Sequence, residues 1–356
     1  MKDYLTFCNP TKIYFTSYKE LGSIIDSYGF KRVVLFIGGS SLKESGVLDE
    51  VLNDLNNKSI QYHLISGIKP NPDVSSVIEA INKTKRFDPQ LVVAIGGGSV
   101  IDAAKSYANS FYYDGNPIDF NKKIAVPSKV LSVATVVTIA ASGSEMSSSC
   151  VMSDRAENFK GGFNSPTNYP LFSILDSSLL KSVSDFQLAC GAIDIISHSF
   201  ERYFCKSKEY EISDLFALSV IKNIVRISDR LFDKNRNDDV LTEMLYTSTL
   251  SHNGITSFGK ISKMTCHFAE HKLSGLHPEV AHGLGLSWLM VEFLKRNEDL
   301  LKEKIREFGK MVFDSYDNVI EKFDSYIKFL PLDSNYKSYG ISDEEMEDYY
   351  SLLKLS

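Results

Sequence analysis

The chain has 356 residues, a formal net charge of −6 and a pI near 5.7, which does not favour nucleic acid as a partner. Its composition, 43% hydrophobic and 24% charged, is that of a globular protein, and no apolar run is long enough to span a membrane. Its five cysteines form no CxxC pair, and its N-terminal segment lacks the apolar core of a signal peptide. These features predict a cytoplasmic protein with reduced thiols, long enough for two domains.

Short apolar runs alternate with helical stretches in the first half of the chain. Predicted strands cover residues 12–15, 32–37, 61–64, 91–95, 130–137, 149–153 and 171–175. Predicted helices cover residues 18–28, 46–55, 74–85 and 100–108. This alternation predicts a parallel β-sheet with helices on its faces, in which ligands bind beyond the carboxyl ends of the strands.

After about residue 183 the pattern changes to amphipathic helices without a convincing strand. The predicted helices cover residues 186–204, 210–232, 240–254, 263–273, 281–294, 300–330 and 343–355. We therefore expect an α/β domain over residues 1–183 and an all-α domain over residues 184–356.

One stretch, residues 91–105, combines a buried-strand pattern, three consecutive glycines and the start of a helix. Glycine has no Cβ to keep a ligand away from the backbone. Gly97, Gly98 and Ser99 would present N–H groups at a helix N-terminus, an arrangement that binds phosphate. A tight turn without a ligand explains this stretch, taken alone, equally well.

Other small or polar residues follow the predicted strands at the same edge of the sheet. They are Gly38, Gly39, Ser40, Ser41 and Asn71. The segment 138–145, with the sequence TIAASGSE, offers hydroxyl groups that can hydrogen-bond a flat ligand at short range. A loop that caps the following helix through Ser142 or Ser144 is the alternative.

Histidines in the predicted helical half suit a metal site. Asp194 precedes His198 by four residues and His267 precedes His271 by four, so each pair lies on one helix face. A carboxylate with imidazoles is a ligand set for Zn²⁺ or Fe²⁺. Each pair alone is more often a surface pair or a hydrogen-bonded core pair. The two pairs, together with His282-Gly283 and the phosphate-type glycine loop, predict a nucleotide or dinucleotide enzyme with a divalent metal, whereas His252 stands apart from them in the sequence.

Several motifs occur together in one order along the chain. They are Pro70-Asn71-Pro72, Gly96-Gly97-Gly98-Ser99-Val100-Ile101-Asp102, Thr138 to Glu145, Gly191-x-x-Asp194-x-x-x-His198, His267-x-x-x-His271 and His282-Gly283. In this order and spacing the chain resembles the iron-containing (group III) alcohol dehydrogenase family. The tract 270–286 is most similar to its butanol dehydrogenase-like branch. The resemblance implies a Rossmann-like N-terminal domain and a helical C-terminal domain (the dehydroquinate synthase-like fold), an active site between them, and a homodimer.

The resemblance also implies roles for individual residues. Its metal ligands, for Fe²⁺ or Zn²⁺, would be Asp194, His198, His267 and His282. His271 would lie beside them as a catalytic proton relay, and one extra residue before His282 keeps His277 as a competing fourth ligand. The implied cofactor-binding residues are Gly97, Gly98 and Ser99 at the pyrophosphate, Asp102 (also catalytic) at the nicotinamide, Thr138, Ser142 and Ser144 along the cofactor, and Leu179 at the adenosine or ribose.

Cofactor preference depends on the residues after the second strand. A carboxylate there would bind the 2′-hydroxyl of NAD and repel the 2′-phosphate of NADP. This chain has small and hydroxyl residues from Gly38 to Ser41, followed closely by Lys43, which favours NADP(H) over NAD(H). A solvated Lys43 with no role in binding is the alternative.

These implications predict a metal-dependent NAD(P)-linked alcohol dehydrogenase or aldehyde reductase. Hydride would pass between C4 of the nicotinamide and a metal-bound alkoxide or carbonyl. The substrate would be a primary alcohol, a diol, or a hydroxyl of a sugar or sugar acid. A metal-dependent lyase or cyclase of the same superfamily is the alternative, although no basic cluster lies beside the predicted ligands in the sequence. A non-catalytic binding protein is a third possibility, against which the complete ligand set argues.

Overall fold

A computed structural model of the chain describes residues 7–205 and 211–355. The chain divides into two compact units, one built around a parallel sheet and the other helical. The sheet unit comprises Asn9–Ile139 and Ser144–Leu180. Among the described residues, the helical unit comprises 181–205 and 211–355 with the short segments Ala140–Gly143 and 7–8. An α/β part followed by a helical part confirms the predicted fold class.

Six parallel strands form the main sheet, in the order β1-β8-β5-β4-β2-β3. Their bounds are β1 Lys12–Tyr14, β2 Arg32–Ile37, β3 Gln61–Ile65, β4 Leu91–Gly96, β5 Ser132–Val137 and β8 Phe172–Leu175. The central strands β2 and β4 are buried along almost their whole length, which explains their continuous apolar sequences. Since the strands are parallel, the segments that follow β2, β4, β5 and β8 all begin at one edge of the sheet.

Helices cover both faces of this sheet. They are α1 Leu21–Ser27, α2 Ser41–Glu44, α3 Val47–Asn57, α4 Val74–Thr84, α5 Gly98–Ser110 and α6 Ile118–Asn121. Alternate residues of each strand enter two separate cores, as the two-residue period of a strand requires. Phe36 packs with α4 and α5 on one face, whereas Leu35 packs with α1 and α3 on the other.

The predicted strand over residues 149–153 exists, but it does not join the parallel sheet. It forms β6, Ser149–Asp154, which pairs antiparallel with β7, Phe159–Asn164. A short turn with Asn158 in the left-handed region (φ +49°) connects the two strands. The strand β7 is not among the predicted strands, because Gly161 and Gly162 interrupt its apolar pattern.

The helical unit contains eight α-helices among its described residues. They are α7 Asp185–Tyr203, α8 Glu211–Leu231, α9 Asp238–Ser251, α10 Thr265–Leu276, α11 His282–Arg296, α12 Glu298–Phe313, α13 Val319–Phe329 and α14 Asp343–Ser351. The predicted single helix over 300–330 is wrong, because the chain turns between α12 and α13. Asp314 and Asn318 take left-handed conformations there (φ +52° at each). Residue 210, the predicted start of α8, lies outside the described residues.

An aromatic core holds the helical unit together. Phe200 on α7 packs against Phe293 of α11, Phe308 of α12 and Phe323 of α13, with ring centroids 5.6 to 6.2 Å apart. Ser184 caps the N-terminus of α7 by accepting a hydrogen bond from the backbone N–H of Gln187. These contacts fix α7, the helix that carries Asp194 and His198. Among the described residues, no helix is long and apolar enough to cross a membrane.

Candidate active site

The glycine loop joins β4 to the N-terminus of α5. A Cβ on Gly96 would come within 2.6 Å of the Val100 side chain, and one on Gly97 would lie 3.0 Å from Ile139. Gly97, Gly98 and Ser99 are half-exposed, whereas Val100 and most of α5 behind it are buried. The first N–H groups of a helix have no partner within the helix, so this exposed end of α5 can bind an anion.

Most of the predicted cofactor-binding residues follow the carboxyl ends of neighbouring strands. The four residues Gly38–Ser41 follow β2 and Thr138 follows β5, where its backbone N–H donates to the Gly96 carbonyl at 3.2 Å. Asn71, between two prolines after β3, adopts the left-handed conformation (φ +54°). Leu179, after β8, is buried in the core of the sheet. The sheet topology therefore gathers these residues at one edge, as the sequence predicts for a ligand site.

Asp102 points its carboxylate into a hydrogen-bond network of the sheet unit. Ser144 Oγ donates to one oxygen at 2.9 Å and the backbone N–H of Val151 donates to the other at 3.2 Å. Burial raises the pKa of Asp102, and this effect outweighs the opposing charge of Lys105. The structure thus shows Asp102 tying α5 to the segment 144–151, and its catalytic role stays a prediction.

The predicted metal ligands of the helical unit come together. Asp194 Oδ1 lies 3.6 Å from His267 Nε2 and 3.8 Å from His282 Nε2, and the three ligand atoms all lie within 4.8 Å of one another. His198 Nδ1 lies 3.3 Å from the same oxygen. Three different helices, α7, α10 and α11, supply these side chains. Asp194, His198 and His267 are buried, and His282 is partly exposed.

Each imidazole of this cluster has a partner that fixes its orientation. The Nδ1–H of His198 donates to the backbone carbonyl of Asp194 at 2.9 Å, so Nε2 is the nitrogen of this ring that could bind an ion. His267 Nδ1 bonds Glu201, and His282 Nδ1 bonds Glu270. In both of these rings Nε2 is the atom that faces Asp194.

Glu201 and Glu270 are not among the residues predicted for the site. Glu201 follows His198 by three residues on α7, and Glu270 follows His267 by three on α10, so each lies near the metal-ligand face of its helix. A carboxylate buried on the same face as a ligand histidine was the available signal, because buried acids need a partner.

His252 does not stand apart in the structure. Its ring centroid lies 4.1 Å from that of His198, and its Nδ1 lies 3.0 Å from the carbonyl oxygen of Ser142. Ser142, predicted to line the cofactor, therefore belongs to the helical unit, whereas Thr138 and Ser144 belong to the sheet unit. The spacing of His252 from the predicted ligands along the chain gave no indication that it would lie beside them.

His277 is not placed as a competing ligand. Its Nε2 lies 2.6 Å from Glu345 Oε1, and its Nδ1 lies 3.4 Å from Glu279 Oε1. His271 lies nearer to the cluster, with its ring centroid 5.6 Å from that of His282. Glu270, His271 and His282 also bring ligand atoms within 4.8 Å of one another, although His282 Nδ1 already bonds Glu270.

A divalent cation fits this donor set. Asp194 Oδ1 and His267 Nε2 are buried, and neither has a hydrogen-bond partner among the described residues. Burial opposes a charge on His267, but Glu201 and Asp194 outweigh burial and raise its pKa to about 9. Burial lowers the pKa of His198 well below its usual value, and the neighbouring His252 and His267 lower it further. The carboxylates thus favour a positive charge at this position, and His198 is a neutral imidazole beside it. Neutral imidazoles with a carboxylate form an N/O donor set that suits Zn²⁺ or Fe²⁺.

Two family models match the chain. The model described as "Iron-containing alcohol dehydrogenase" matches residues 10–177. The model described as "Fe-containing alcohol dehydrogenase family, C-terminal" matches residues 188–352 and therefore includes all the predicted metal ligands.

Individual relatives resemble the chain over most of its length. The NADH-dependent butanol dehydrogenase A of Clostridium acetobutylicum is 32% identical over 351 residues, 95% of this chain and 90% of the relative. The NADPH-dependent aldehyde reductase YqhD of Escherichia coli is 27% identical over 80% of this chain and 73% of the relative. The crystal structure of NADH-dependent butanol dehydrogenase A from Thermotoga maritima superposes with a TM-score of 0.92 at 31% identity, covering 98% of this chain and 90% of that one. The chain therefore belongs to the iron-containing alcohol dehydrogenase family.

Proposed function

We propose that the protein is a metal-dependent, NAD(P)-linked alcohol dehydrogenase or aldehyde reductase. The observation that carries this proposal is the convergence of Asp194, His267 and His282, two of whose ligand atoms are buried and have no hydrogen-bond partner within the described part of the chain. Family membership supports the reaction class, and the lyase alternative is not favoured, since the named relatives are dehydrogenases and reductases. We also propose that residues 1–183 bind the cofactor and residues 184–356 bind the metal and substrate.

The side chains of the chain have distinct tasks in this reaction. A bound Fe²⁺ or Zn²⁺ would supply Lewis-acid polarisation of the substrate oxygen. Asp194, His198, His267 and His282 would hold the ion, while Glu201 and Glu270 keep two of the imidazoles in their ligand orientation. His271, half-exposed beside His282, would move the proton of the alcohol to or from solvent. At the other end of the reaction, the N-terminus of α5 would bind the cofactor pyrophosphate.

We propose NADP(H) as the preferred cofactor. The residues from Gly39 to Ser41 are exposed after β2, none of them is acidic, and the exposed Lys43 follows on α2. The names of the relatives include both NADH- and NADPH-dependent enzymes, so the preference rests on these residues. A Ser40→Asp variant should reverse the preference, because a carboxylate repels the 2′-phosphate of NADP. The ratio of kcat/KM for NADPH and NADH measures this, and an unchanged ratio would contradict the assignment.

Short primary alcohols and the corresponding aldehydes are the substrates that we propose first. The curated relatives are named butanol dehydrogenases and an aldehyde reductase, which supports a small aliphatic substrate over a sugar or a diol.

The homodimer stays a prediction of the family resemblance. We also propose that the protein is cytoplasmic, since its five cysteines are all free thiols. Light scattering of the purified protein tests the dimer.

The assay that tests this function follows absorbance at 340 nm in metal-reconstituted protein. NADPH and NADH are each offered with butanal, other short aldehydes, keto sugars and sugar acids. We expect metal-dependent oxidation of the cofactor with a short aldehyde, and a loss of at least about a hundredfold in His267→Ala, since a ligand is removed. No turnover with any substrate, in protein shown to hold one metal ion, would overturn the proposal.

A further inference from the structure

Access to the predicted metal position is uneven. The side chains of Asp194, His198 and His267 are 5 to 9% exposed, whereas that of His282 is 28% exposed. His282 therefore marks the solvent-open side of the predicted metal position, by which an ion would enter or leave. The stability of the backbone around His282 then sets how easily the ion escapes.

His282 is the first residue of α11 and follows a five-residue loop, His277–Ala281. Two backbone hydrogen bonds shape this loop: His277 N–H donates to the Leu273 carbonyl at 2.8 Å, and Val280 N–H donates to the His277 carbonyl at 3.0 Å. Val280 is fully buried, whereas Pro278 and Glu279 are exposed. The loop is therefore anchored by Val280 near His282, and its opposite end depends on His277.

The side chain of His277 is held by the C-terminal helix α14. Its Nε2 lies 2.6 Å from Glu345 Oε1, and the Tyr349 hydroxyl donates to the same oxygen at 3.2 Å. The hydrogen bond to His277 lowers the pKa of Glu345, so the carboxylate is ionised near neutrality. A charge-assisted hydrogen bond of this length, only partly exposed, is stronger than an ordinary surface contact.

Glu345 contributes its backbone N–H to the cap of α14 and its side chain to the contact with His277. Ser342 caps α14 by accepting from the Glu345 backbone N–H at 3.1 Å, the Ser-x-x-Glu pattern of a capping box. In the usual capping box the glutamate turns back to the cap residue, but here it reaches His277 on another element. Buried Met346 and Leu353 dock α14, which packs against α10 and α11, and so give Glu345 a rigid base.

We propose that His277 and Glu345 form a positioning pair, which we call the C-terminal latch, that holds the loop His277–Ala281 in place and thereby slows escape of the metal past His282. This inference rests on the proposed metal centre. Neither residue contacts the ligand atoms, so the latch acts through the loop and through the start of α11. The latch determines how fast the ion exchanges, and its loss leaves the ligand set intact.

The test measures Zn²⁺ transfer from the loaded protein to an excess of a chromogenic chelator. We expect Glu345→Ala and His277→Ala to release Zn²⁺ about five- to tenfold faster, the effect of one partly exposed charged hydrogen bond. The double variant should be no faster than either single one, because both remove the same contact. The matched control is Glu347→Ala. It removes another carboxylate of α14, whose Oε2 lies 2.7 Å from Arg296 Nη2. Release at the wild-type rate from Glu345→Ala would overturn the latch.

A second measurement is independent of metal. Hydrogen exchange of the backbone amides of residues 279–283, in the metal-free protein, should accelerate in Glu345→Ala and stay unchanged in Glu347→Ala. Glu345→Gln, which keeps a neutral acceptor, should fall between wild type and Glu345→Ala in both measurements, and it serves if the alanine variant folds poorly. Wild-type protein that binds no Zn²⁺ would overturn the metal centre itself. In that case the amide exchange of residues 279–283 alone tests whether the latch holds the loop. Exchange that is unchanged in Glu345→Ala would refute the latch.

Discussion

At the scale of single residues, two carboxylates outside the predicted ligand set orient histidines of the candidate metal centre. Glu201 and Glu270 are buried, and each bonds the Nδ1 of a ligand histidine. Such a partner fixes the ring and makes its other nitrogen more basic. The arrangement gives a buried acid on α7 and another on α10 the same task.

Replacing Glu201 by Gln should weaken metal binding about ten- to a hundredfold, because the neutral amide no longer supports the His267 ring with a charge. Competition with a chelator of known affinity for Zn²⁺ measures the change. Glu243→Gln, an exposed residue of α9 that bonds Asn223, is the control and should bind Zn²⁺ as the wild type does. Equal affinities in the two variants would show that Glu201 does not support the ligand.

Lys105 is a second residue whose role is set by burial. Its ammonium group is fully buried and donates to the carbonyl oxygens of Ser144, Ser147 and Ser149 and to the Ser144 hydroxyl, at 2.7 to 3.0 Å. Lys105→Met should destabilise the protein by about 3–5 kcal/mol, since it leaves several buried acceptors and Asp102 without a cation. The urea midpoint of unfolding measures this. Lys83→Met, which removes an exposed pair with Glu79, should change it little, and a similar shift in both would contradict the role.

At the scale of elements, the glycine loop and α5 form one device. The loop brings the backbone to the end of β4, and the helix begins at Gly98 with its N-terminus half-exposed. Burial of the rest of α5 holds this end still. The predicted anion binding by this element would thus depend on the close packing of the Val100 side chain against Gly96.

Gly96→Ala should weaken cofactor binding and lower stability by about 1–3 kcal/mol, because the new methyl group would overlap the Val100 side chain. Fluorescence titration with NADPH and thermal unfolding measure the two effects. Gly275→Ala, in α10 with open space around its Cβ position, is the control and should not lower stability. Unchanged NADPH affinity in Gly96→Ala would separate the loop from the cofactor.

At the scale of the whole molecule, the predicted metal ligands lie on three helices, of which α7 is far in sequence from the consecutive helices α10 and α11. Asp194 on α7, His267 on α10 and His282 on α11 bring their ligand atoms within 4.8 Å of one another, so an ion bound there would crosslink the helical unit. The sheet unit contributes none of these ligands. The two units should therefore respond differently to metal.

Removing the metal should lower the stability of the helical unit by about 2.7 kcal/mol when the free ion had been at a hundred times its Kd. Hydrogen exchange of amides in α7, α10 and α11 should accelerate on chelation, and that of β2 and β4 should not change. His267→Ala is the control, since added Zn²⁺ should no longer protect these helices. Equal acceleration in the two units would contradict a crosslink confined to the helical unit.

Local pattern was sufficient to predict most of the elements and the glycine loop. The strand over 32–37 was predicted with its observed ends, and the strand that begins at Leu91 was predicted to within one residue, because continuous apolar runs bounded by turns depend on nearby residues alone. The spacing of Asp194 and His198 likewise follows from the helical period. Family motifs added the expected roles of these residues.

Contacts between distant segments were decided only by the tertiary structure. The approach of His252 to His198 and the contact of His277 with Glu345 join residues whose spacing in sequence has no period. Glu201 and Glu270 gained their role from where α10 and α11 pack, which local propensity does not encode. The sequence by itself determined most of the elements, the fold class and the set of candidate ligands. Long-range packing determined which carboxylates orient those ligands and which residues hold the loop beside them.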